Sequence, residues 1–236
     1  MNRYLQSRMT ADRISVIIPV LNEAATIADS LSHLQRAAGA MAIEVIVVDG
    51  GSQDGTRDQL AGLGITVLTA PPGRAHQMNA GAARATSNVL LFLHADTRLP
   101  LGFPVLVNQV LSTPGVIAGA FALSIDGDLP GLRWVEWFAN WRSRTLRMPY
   151  GDQAIFLRAE QFHAIGGFPQ QPIMEDYELI RRLRRRGQIA IVPQPVITSA
   201  RRWQKLGVLQ TTLINQAIVA AYRLGVSPQR LVRWYR

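Results

Sequence analysis

Four short apolar runs in the first hundred residues restrict what this chain can fold into more than any other feature. They are Ile14-Ser15-Val16-Ile17-Ile18-Pro19-Val20, Ile43-Glu44-Val45-Ile46-Val47-Val48, Ile65-Thr66-Val67-Leu68 and Val89-Leu90-Leu91-Phe92-Leu93. Each has the length of a strand and is apolar at nearly every position, the mark of a strand buried on both faces. Between them the period changes. Ile27, Leu31 and Leu34 stand at i, i+4 and i+7 within 24–38, one face of a helix, and 56–63 and 74–85 also read as helical. Alternating strands and helices predict an α/β fold, a mostly parallel sheet with helices on both faces. The 236 residues suit one large domain, without internal repeats or a low-complexity linker.

The second half has another texture. A strand is expected over 116–125 and a helix over 132–146 carrying Trp134, Trp137, Phe138 and Trp141. Then come a strand over 154–158, a basic helix over 175–186 closed by Gly187, short strands over 189–192 and 196–198, a helix over 207–224, and a short basic helix over 228–235 opened by Ser227 and Pro228. Charge is divided the same way. Residues 1–130 hold 8 Arg against 10 acids, net −2, and residues 131–236 hold 17 Lys and Arg against 6 acids, net +11. Such a half suits an anionic substrate, an anionic membrane surface or nucleic acid, or is simply a solvated, Arg-rich face.

Composition removes several chemistries. There is no cysteine, which excludes disulfides, thiolate catalysis and Cys-ligated zinc and fits a cytoplasmic protein. The first thirteen residues lack the apolar stretch of a signal peptide. The most apolar late segment, 206–226, is interrupted by Gln210, Thr211, Thr212, Asn215, Gln216 and Arg223, so no spanning helix is expected.

In open α/β sheets ligands bind beyond the carboxyl ends of the strands. Pro19, Asn22 and Glu23 lie at the end of the first run; Asp49, Gly50 and Ser52 follow the second; Arg74, Gln77 and Asn79 come after the third; His94 and Asp96 after the fourth. Any one of these loops is weak evidence, but four in register point to a ligand site at this end of the sheet. Asp49, at the tip of a buried strand, is placed to accept hydrogen bonds from a base or ribose, whereas Asp54, Gly55 and Thr56 read as a helix start. Asp96 reads either as a helix cap or as a ligand for a hard cation such as Mg²⁺ or Mn²⁺, and His94 two residues away either as a structural histidine or as a secondary ligand better suited to Mn²⁺. Arg74 opens a helix, a position that favours anions; Gln77 and Asn79 read equally as an ordinary polar first turn. Glu175 and Asp176 form a tight acidic pair in a basic half, either a general base or a helix N-terminus stabilised by acids. Asp152 is a candidate acceptor or diphosphate contact and a fallback for the role of base. Arg201, Arg202 and Trp203 combine guanidinium groups with an aromatic ring, which suits phosphate, diphosphate or acceptor contacts and equally reads as surface beside a core Trp.

These pieces, Ser15 to Glu23, Val47 to Thr56, His94-Ala95-Asp96, Gly166-Gly167-Phe168 and Glu175-Asp176, resemble in order the family 2 glycosyltransferases with the GT-A fold. The resemblance spans 13–205, leaving 206–236 as a C-terminal helical extension. Gly73-Arg74-Ala75, Gln77-Met78-Asn79-Ala80-Gly81 and the run from Leu91 to Thr97 are similar to a subgroup found beside radical-SAM and selenium-related genes, some linked to arsenosugar synthesis. The resemblance implies inverting, Mn²⁺- or Mg²⁺-dependent transfer from a UDP- or GDP-linked sugar to a small-molecule or lipid-linked acceptor. It implies that Asp49 contacts the base, that Asp96 holds the metal, and that Asp176, beside Glu175, is the base. Two positions depart from the family pattern: its Asp-Asp before Gly-Ser is Asp49-Gly50, and its Asp-x-Asp is His94-Ala95-Asp96.

Other functions fit less well. A nucleotidyltransferase usually carries a Gly-rich, Arg-containing phosphate loop after the first strand, where this chain has Pro19 to Glu23. A dehydrogenase wants G-x-G-x-x-G there. A basic nucleic-acid-binding module would not need acids at strand ends. In the late helix, Leu209, Leu213, Ile214, Ala217, Ile218, Ala221 and Leu224 share an apolar face, followed by Arg223, Arg230, Arg233 and Arg236 with Trp234 and Tyr235. Packing on the domain or on a second subunit is the expected use of that face; peripheral docking on an anionic membrane is the alternative.

Overall fold

The computed structural model describes residues 12–235; most of the segment read as lacking a leader, and Arg236, lie outside the described residues. Strands β1 (Ile14–Val20), β2 (Ile43–Asp49), β3 (Thr66–Thr69) and β4 (Val89–Phe92) form one parallel block of an eight-stranded sheet. Helices α1 (Ile27–Ala38), α2 (Thr56–Leu60) and α3 (Arg74–Arg84) alternate with them. Every residue of β1 is buried, as its unbroken apolar run requires. Beyond β4 come β5 (Thr97–Arg98), α4 (Phe103–Leu111), β6 (Val116–Asp126), α5 (Leu132–Leu146), β7 (Phe156–Arg158), α6 (Ala159–Ala164), α7 (Glu175–Leu183) and β8 (Gln188–Ser199). The strand order is β3-β2-β1-β4-β7-β6-β8-β5, with β7 antiparallel to both β4 and β6, and β5 antiparallel to β8. The α/β fold with a mostly parallel mixed sheet is the expected one.

The expected strands 189–192 and 196–198 are a single strand. Val192 pairs with Phe121 and Pro195 with Ala122, so the intervening Pro193 and Gln194 form a bulge rather than a break. Prolines at 193 and 195 cannot donate to a ladder, which is why the sequence reads as interrupted. Helices α4 and α6 and the two-residue β5 were not expected.

Helices α8 (Arg201–Leu206), α9 (Val208–Arg223) and α10 (Pro228–Tyr235) follow. The anticipated apolar face of α9 is split. Ile218 is buried, and Ile214 and Ala221 pack beside it against the core that also contains Ile173, Tyr177 and Leu231. Leu209, Leu213 and Leu224 stay exposed.

Candidate functional site

The loops after β1 and β2 are locked together before any ligand is considered. Asn22 adopts a left-handed backbone, φ 57°. Its Oδ1 accepts from Gln53 N at 2.9 Å, and its own N–H donates to Ser52 Oγ at 2.9 Å. Asp54 accepts from Ala24 N and from Thr56 N, each at 3.0 Å, so it organises the turn as anticipated. Asp49 departs from expectation in part: its Oδ1 does serve the loop, accepting from Ser52 N at 3.0 Å and Ser52 Oγ at 2.6 Å. Its Oδ2 is buried without a hydrogen-bond partner, with Arg57 Nε only at 4.0 Å. A buried carboxylate oxygen left without a donor is costly, and a ligand N–H or hydroxyl would satisfy it.

Several residues expected at the nucleotide serve the framework instead. Gln77 is 3% exposed, and its Nε2 donates to the carbonyls of Val20 and Val48, both at 2.8 Å. It ties the ends of β1 and β2 because a buried amide must spend its donors. Gly50 lets it do so: a Cβ there would sit 3.1 Å from the Gln77 amide. Asn79 clamps Phe168, donating to its carbonyl at 2.8 Å and accepting from its N–H at 2.9 Å, which gives Gly166-Gly167-Phe168 a structural reason. Pro19 is buried in β1, paired with Val48.

The remaining candidates converge. A cavity of about 500 Å³ opens at the carboxyl ends of the central strands, lined by Arg74, His94, Asp96, Asp152, Asp176, Arg201, Arg202 and Trp203 among others. Sequence reasoning did not place Tyr150, Tyr177, Lys205, Asn215, Ile218 and Tyr235 at the site, and they also line it. Of these, Lys205, Asn215, Ile218 and Tyr235 come from α8, α9 and α10, so the C-terminal helices roof the site. No spacing rule points to them, because they reach the cavity only through tertiary packing; Arg202 over the Tyr235 ring at 3.5 Å is one such contact.

Glu175 and Asp176 separate. The left-handed Met174, φ 68°, turns the chain into α7 so that Glu175 points inward, 2% exposed, with Arg74 Nε 2.6 Å from its Oε1. Burial pushes the Glu175 carboxyl up while the Arg74 charge opposes it. Glu175 therefore positions Arg74 and does not line the cavity. Asp176 does; its Oδ2 accepts from Gly151 N at 2.7 Å. A Cβ at Gly151 would sit 3.1 Å from Asp176 Oδ2 and 3.2 Å from His94 Nε2, so glycine is what allows those groups to gather.

Asp96 is tied to a cation already on the chain. Arg201 donates to its Oδ2 at 3.1 Å and to both oxygens of Glu23 at 3.1 and 3.2 Å. Glu23 is thus a tether of Arg201. Burial, reinforced by the Arg74 charge, pushes the His94 imidazole down to about 4, leaving it neutral near pH 7. Among the described residues no three His, Asp or Glu side chains group closely enough to hold a metal ion alone. One or two protein ligands with substrate phosphates and water are the usual set for Mg²⁺, so Asp96 and neutral His94 fit a cation that arrives with a diphosphate.

With the sheet and this cavity established, comparison with known proteins decides the family. The sequence model described as Glycosyl transferase family 2 matches residues 15–168, more than half of the chain. The chain belongs to this family. Glucosyl-3-phosphoglycerate synthase of Mycobacterium tuberculosis is 27% identical over 123 residues, covering 48% of this chain and 38% of that protein. The matched segment thus spans well under half the length of that relative. A glycosyltransferase of the same organism, named as uncharacterised, is 30% identical over 156 residues, 62% of this chain and 66% of its own length. Among solved structures, a mannosyltransferase from Pyrobaculum calidifontis in complex with GDP-Man and Mn²⁺ superposes with a TM-score of 0.65 at 21% identity, over 94% of this chain and 67% of that one. The M. tuberculosis synthase with Mn²⁺, UDP and phosphoglyceric acid gives 0.64 at 20% identity, over 91% and 79%. These likenesses establish the GT-A fold.

Asp152 carries a pH signature. Burial pushes its carboxyl up to about 6, with Arg142 opposing and Asp176 adding to the rise, and its Oδ1 is buried without a partner. An acid whose folded value is raised contributes stability that is complete below its unfolded value near 3.8 and is lost as pH rises through about 6. Asp152→Asn, an analogue of the neutral acid, is expected to raise Tm at pH 7.5 by several degrees and to leave Tm near pH 4 almost unchanged. A displacement of this size corresponds to at most about 3 kcal/mol. Thermal melts of both proteins across that range check it; an equal shift at both pH values would detach the effect from ionisation.

Proposed function

We propose that this chain transfers a sugar from a UDP- or GDP-linked donor to a hydroxyl of an acceptor, with inversion, assisted by Mn²⁺ or Mg²⁺. One observation carries the reading: Asp96, Asp152 and Asp176 meet Arg74, Arg201 and Arg202 around one cavity at the carboxyl ends of the strands. Carboxylates for a cation and a proton, beside guanidinium groups for phosphates, are the set that displacement at a sugar–diphosphate bond requires. Asp49, with Ser52 and Asn22 shaping its loop, takes the base or ribose through the unpartnered Oδ2. Asp96, with His94, would hold the cation, whose charge neutralises the diphosphate leaving group. Asp176 accepts the proton of the acceptor hydroxyl. Glu175 keeps Arg74 in place and is not itself the base.

Residues 13–205 then form the catalytic domain and 206–236 a C-terminal extension, whose helices α9 and α10 roof the site. The acceptor meets Trp203, Tyr150, Tyr177 and Tyr235 together with Arg202 and Lys205, a lining suited to a molecule with a flat or apolar body and an anionic group. Both a small molecule and a lipid-linked acceptor meet that description. The reading extends to the subgroup beside radical-SAM and selenium-related genes on its sequence motifs alone; in the fold Arg74, Gln77 and Asn79 tie α3 to α7, to β1 and β2, and to Phe168. The reading makes the protein a cytoplasmic transferase without a nucleic-acid partner. No helix among the described residues is long and apolar enough to cross a membrane.

The experiment is a thermal-shift screen of nucleoside diphosphates and their sugars with and without Mn²⁺. UDP or GDP at about 100 times its Kd is expected to stabilise the protein by about 2.7 kcal/mol, more with the metal. No shift with any nucleoside diphosphate at millimolar concentration would overturn the assignment.

A further inference from the structure

Helix α5 buries one face and leaves the other bare. Leu132, Ala139 and Ser143 face the core. Opposite them, Trp134 is 74% exposed, Trp137 58%, Trp141 44% and Phe138 42%. At i, i+3, i+4 and i+7 these residues form one stripe along the helix. Their rings group on the surface, Trp134 edge-on to Trp137 with centroids 6.1 Å apart and Phe138 stacked with Trp141 at 5.8 Å. Exposed apolar residues scattered singly are ordinary, but a contiguous row of large aromatics marks an interaction surface. Val208, beside the exposed Leu209, lies against Gly131 at the start of α5, which carries the apolar surface on to α9.

Charge identifies the occupant. Arg144 and Arg147 are exposed near and just beyond the end of the helix, whereas Arg133, though exposed, donates to the carbonyls of Ile125 and Gly127. The single acid between 132 and 147, Glu136, is turned toward β6, accepting from Ser124 Oγ and Ile125 N and paired with Arg133. The surrounding half of the sequence has a net charge of +11. A second copy docking here about a two-fold axis would meet the same arginines with no free acid on the helix to answer them. A row of Trp flanked by Arg matches the interface of an anionic bilayer, where indole rings sit at headgroup level and arginines reach the phosphates. We propose that the aromatic stripe of α5, with its flanking arginines, is a docking surface for an anionic lipid bilayer. The same helix reaches the cavity, since Arg142 stacks on Tyr150 at 3.4 Å. Docking through α5 does not depend on the transferase reading.

Co-sedimentation of the full chain with vesicles tests this, using phosphatidylcholine alone and phosphatidylcholine mixed with phosphatidylglycerol. Binding is expected only to the mixed vesicles, weakening at high salt, with a blue shift of tryptophan fluorescence. The triple variant Trp134→Ser, Trp137→Ser, Trp141→Ser is expected to lose affinity by at least about tenfold. Its thermal melt and its response to UDP with Mn²⁺ should match those of the parent, showing that the fold is intact. Equal binding to both vesicle types, no binding to either, or undiminished binding by the triple variant overturns the proposal. So does a parent dimer that the triple variant dissolves, or loss of vesicle binding on Arg230→Glu, Arg233→Glu with none on the triple substitution.

Discussion

Asp176→Asn is expected to keep donor binding and to lose transfer by about 10²–10⁴-fold, the usual contribution of a positioned general base. The Asp176 carboxylate accepts from Gly151 N through Oδ2 and from Tyr177 N through Oδ1, each at 2.7 Å. An amide oxygen turned toward Gly151 keeps the loop beside His94 anchored and gives up the Tyr177 contact. What disappears is the negative charge and the basicity of the carboxylate. Donor affinity should hold because the residues assigned to the nucleotide and diphosphate, Asp49, Asp96 and the arginines, are untouched. Calorimetric titration with UDP and Mn²⁺ beside a turnover assay separates the two effects. Turnover within a few-fold of the parent would remove Asp176 from the chemical step. The role would then pass to Asp152, whose carboxyl is pushed up to about 6 by burial and which also lines the cavity. The pH profile would follow, with kcat/KM falling on the acid side near that value. Glu175 is a poor substitute, since it is buried against Arg74.

The same residues show where sequence patterns speak and where they stop. Apolar runs and their polar terminators located β1 to β4 and the loops that bear Asp49 and Asp96, because burial on both faces leaves an unbroken signal in the chain itself. Polarity at a strand end does not say which way a side chain turns. Gln77 and Asn79 belong to a helix that opens toward the site, yet their amides are spent on Val20, Val48 and Phe168. Neighbours in sequence also part company. Glu175 and Asp176 read as a unit, but successive positions on a helix are about 100° apart, and the left-handed Met174 sends one inward and the other to the cavity. The bulge in β8 was hidden by its prolines. The cavity roof was illegible for another reason: Lys205, Asn215 and Tyr235 share no spacing with the strand ends they face, and only packing of α8, α9 and α10 brings them there. The exposure of Trp134, Trp137, Phe138 and Trp141 was equally invisible, since an aromatic stripe at helical spacing is usually core.

Asp96→Ala is expected to abolish the strengthening of UDP or GDP binding by Mn²⁺ while the protein remains folded. The side chain is 29% exposed, and its ion pair is with Arg201, itself half-exposed. A pair of that kind contributes at most about 1 kcal/mol, and Arg201 keeps its contacts to Glu23 after the substitution. The backbone of residue 96 continues to accept from Ser199 N at 3.2 Å, so the joint between β5 and β8 survives. Loss of metal dependence can therefore be read without loss of structure. His94→Ala should weaken the metal effect less, since the imidazole is a second ligand at most; an equal or larger loss would make it the principal one. Arg201→Ala supplies the counterpart. With the guanidinium gone, Asp96 has no competing cation, so Mn²⁺ alone should bind more tightly, while the nucleoside diphosphate binds less tightly for want of a phosphate partner. The opposed signs matter more than either size. If Mn²⁺ still strengthens nucleotide binding to Asp96→Ala as it does for the parent, Asp96 is a tether for Arg201 and nothing more, and the cation is held elsewhere in the cavity.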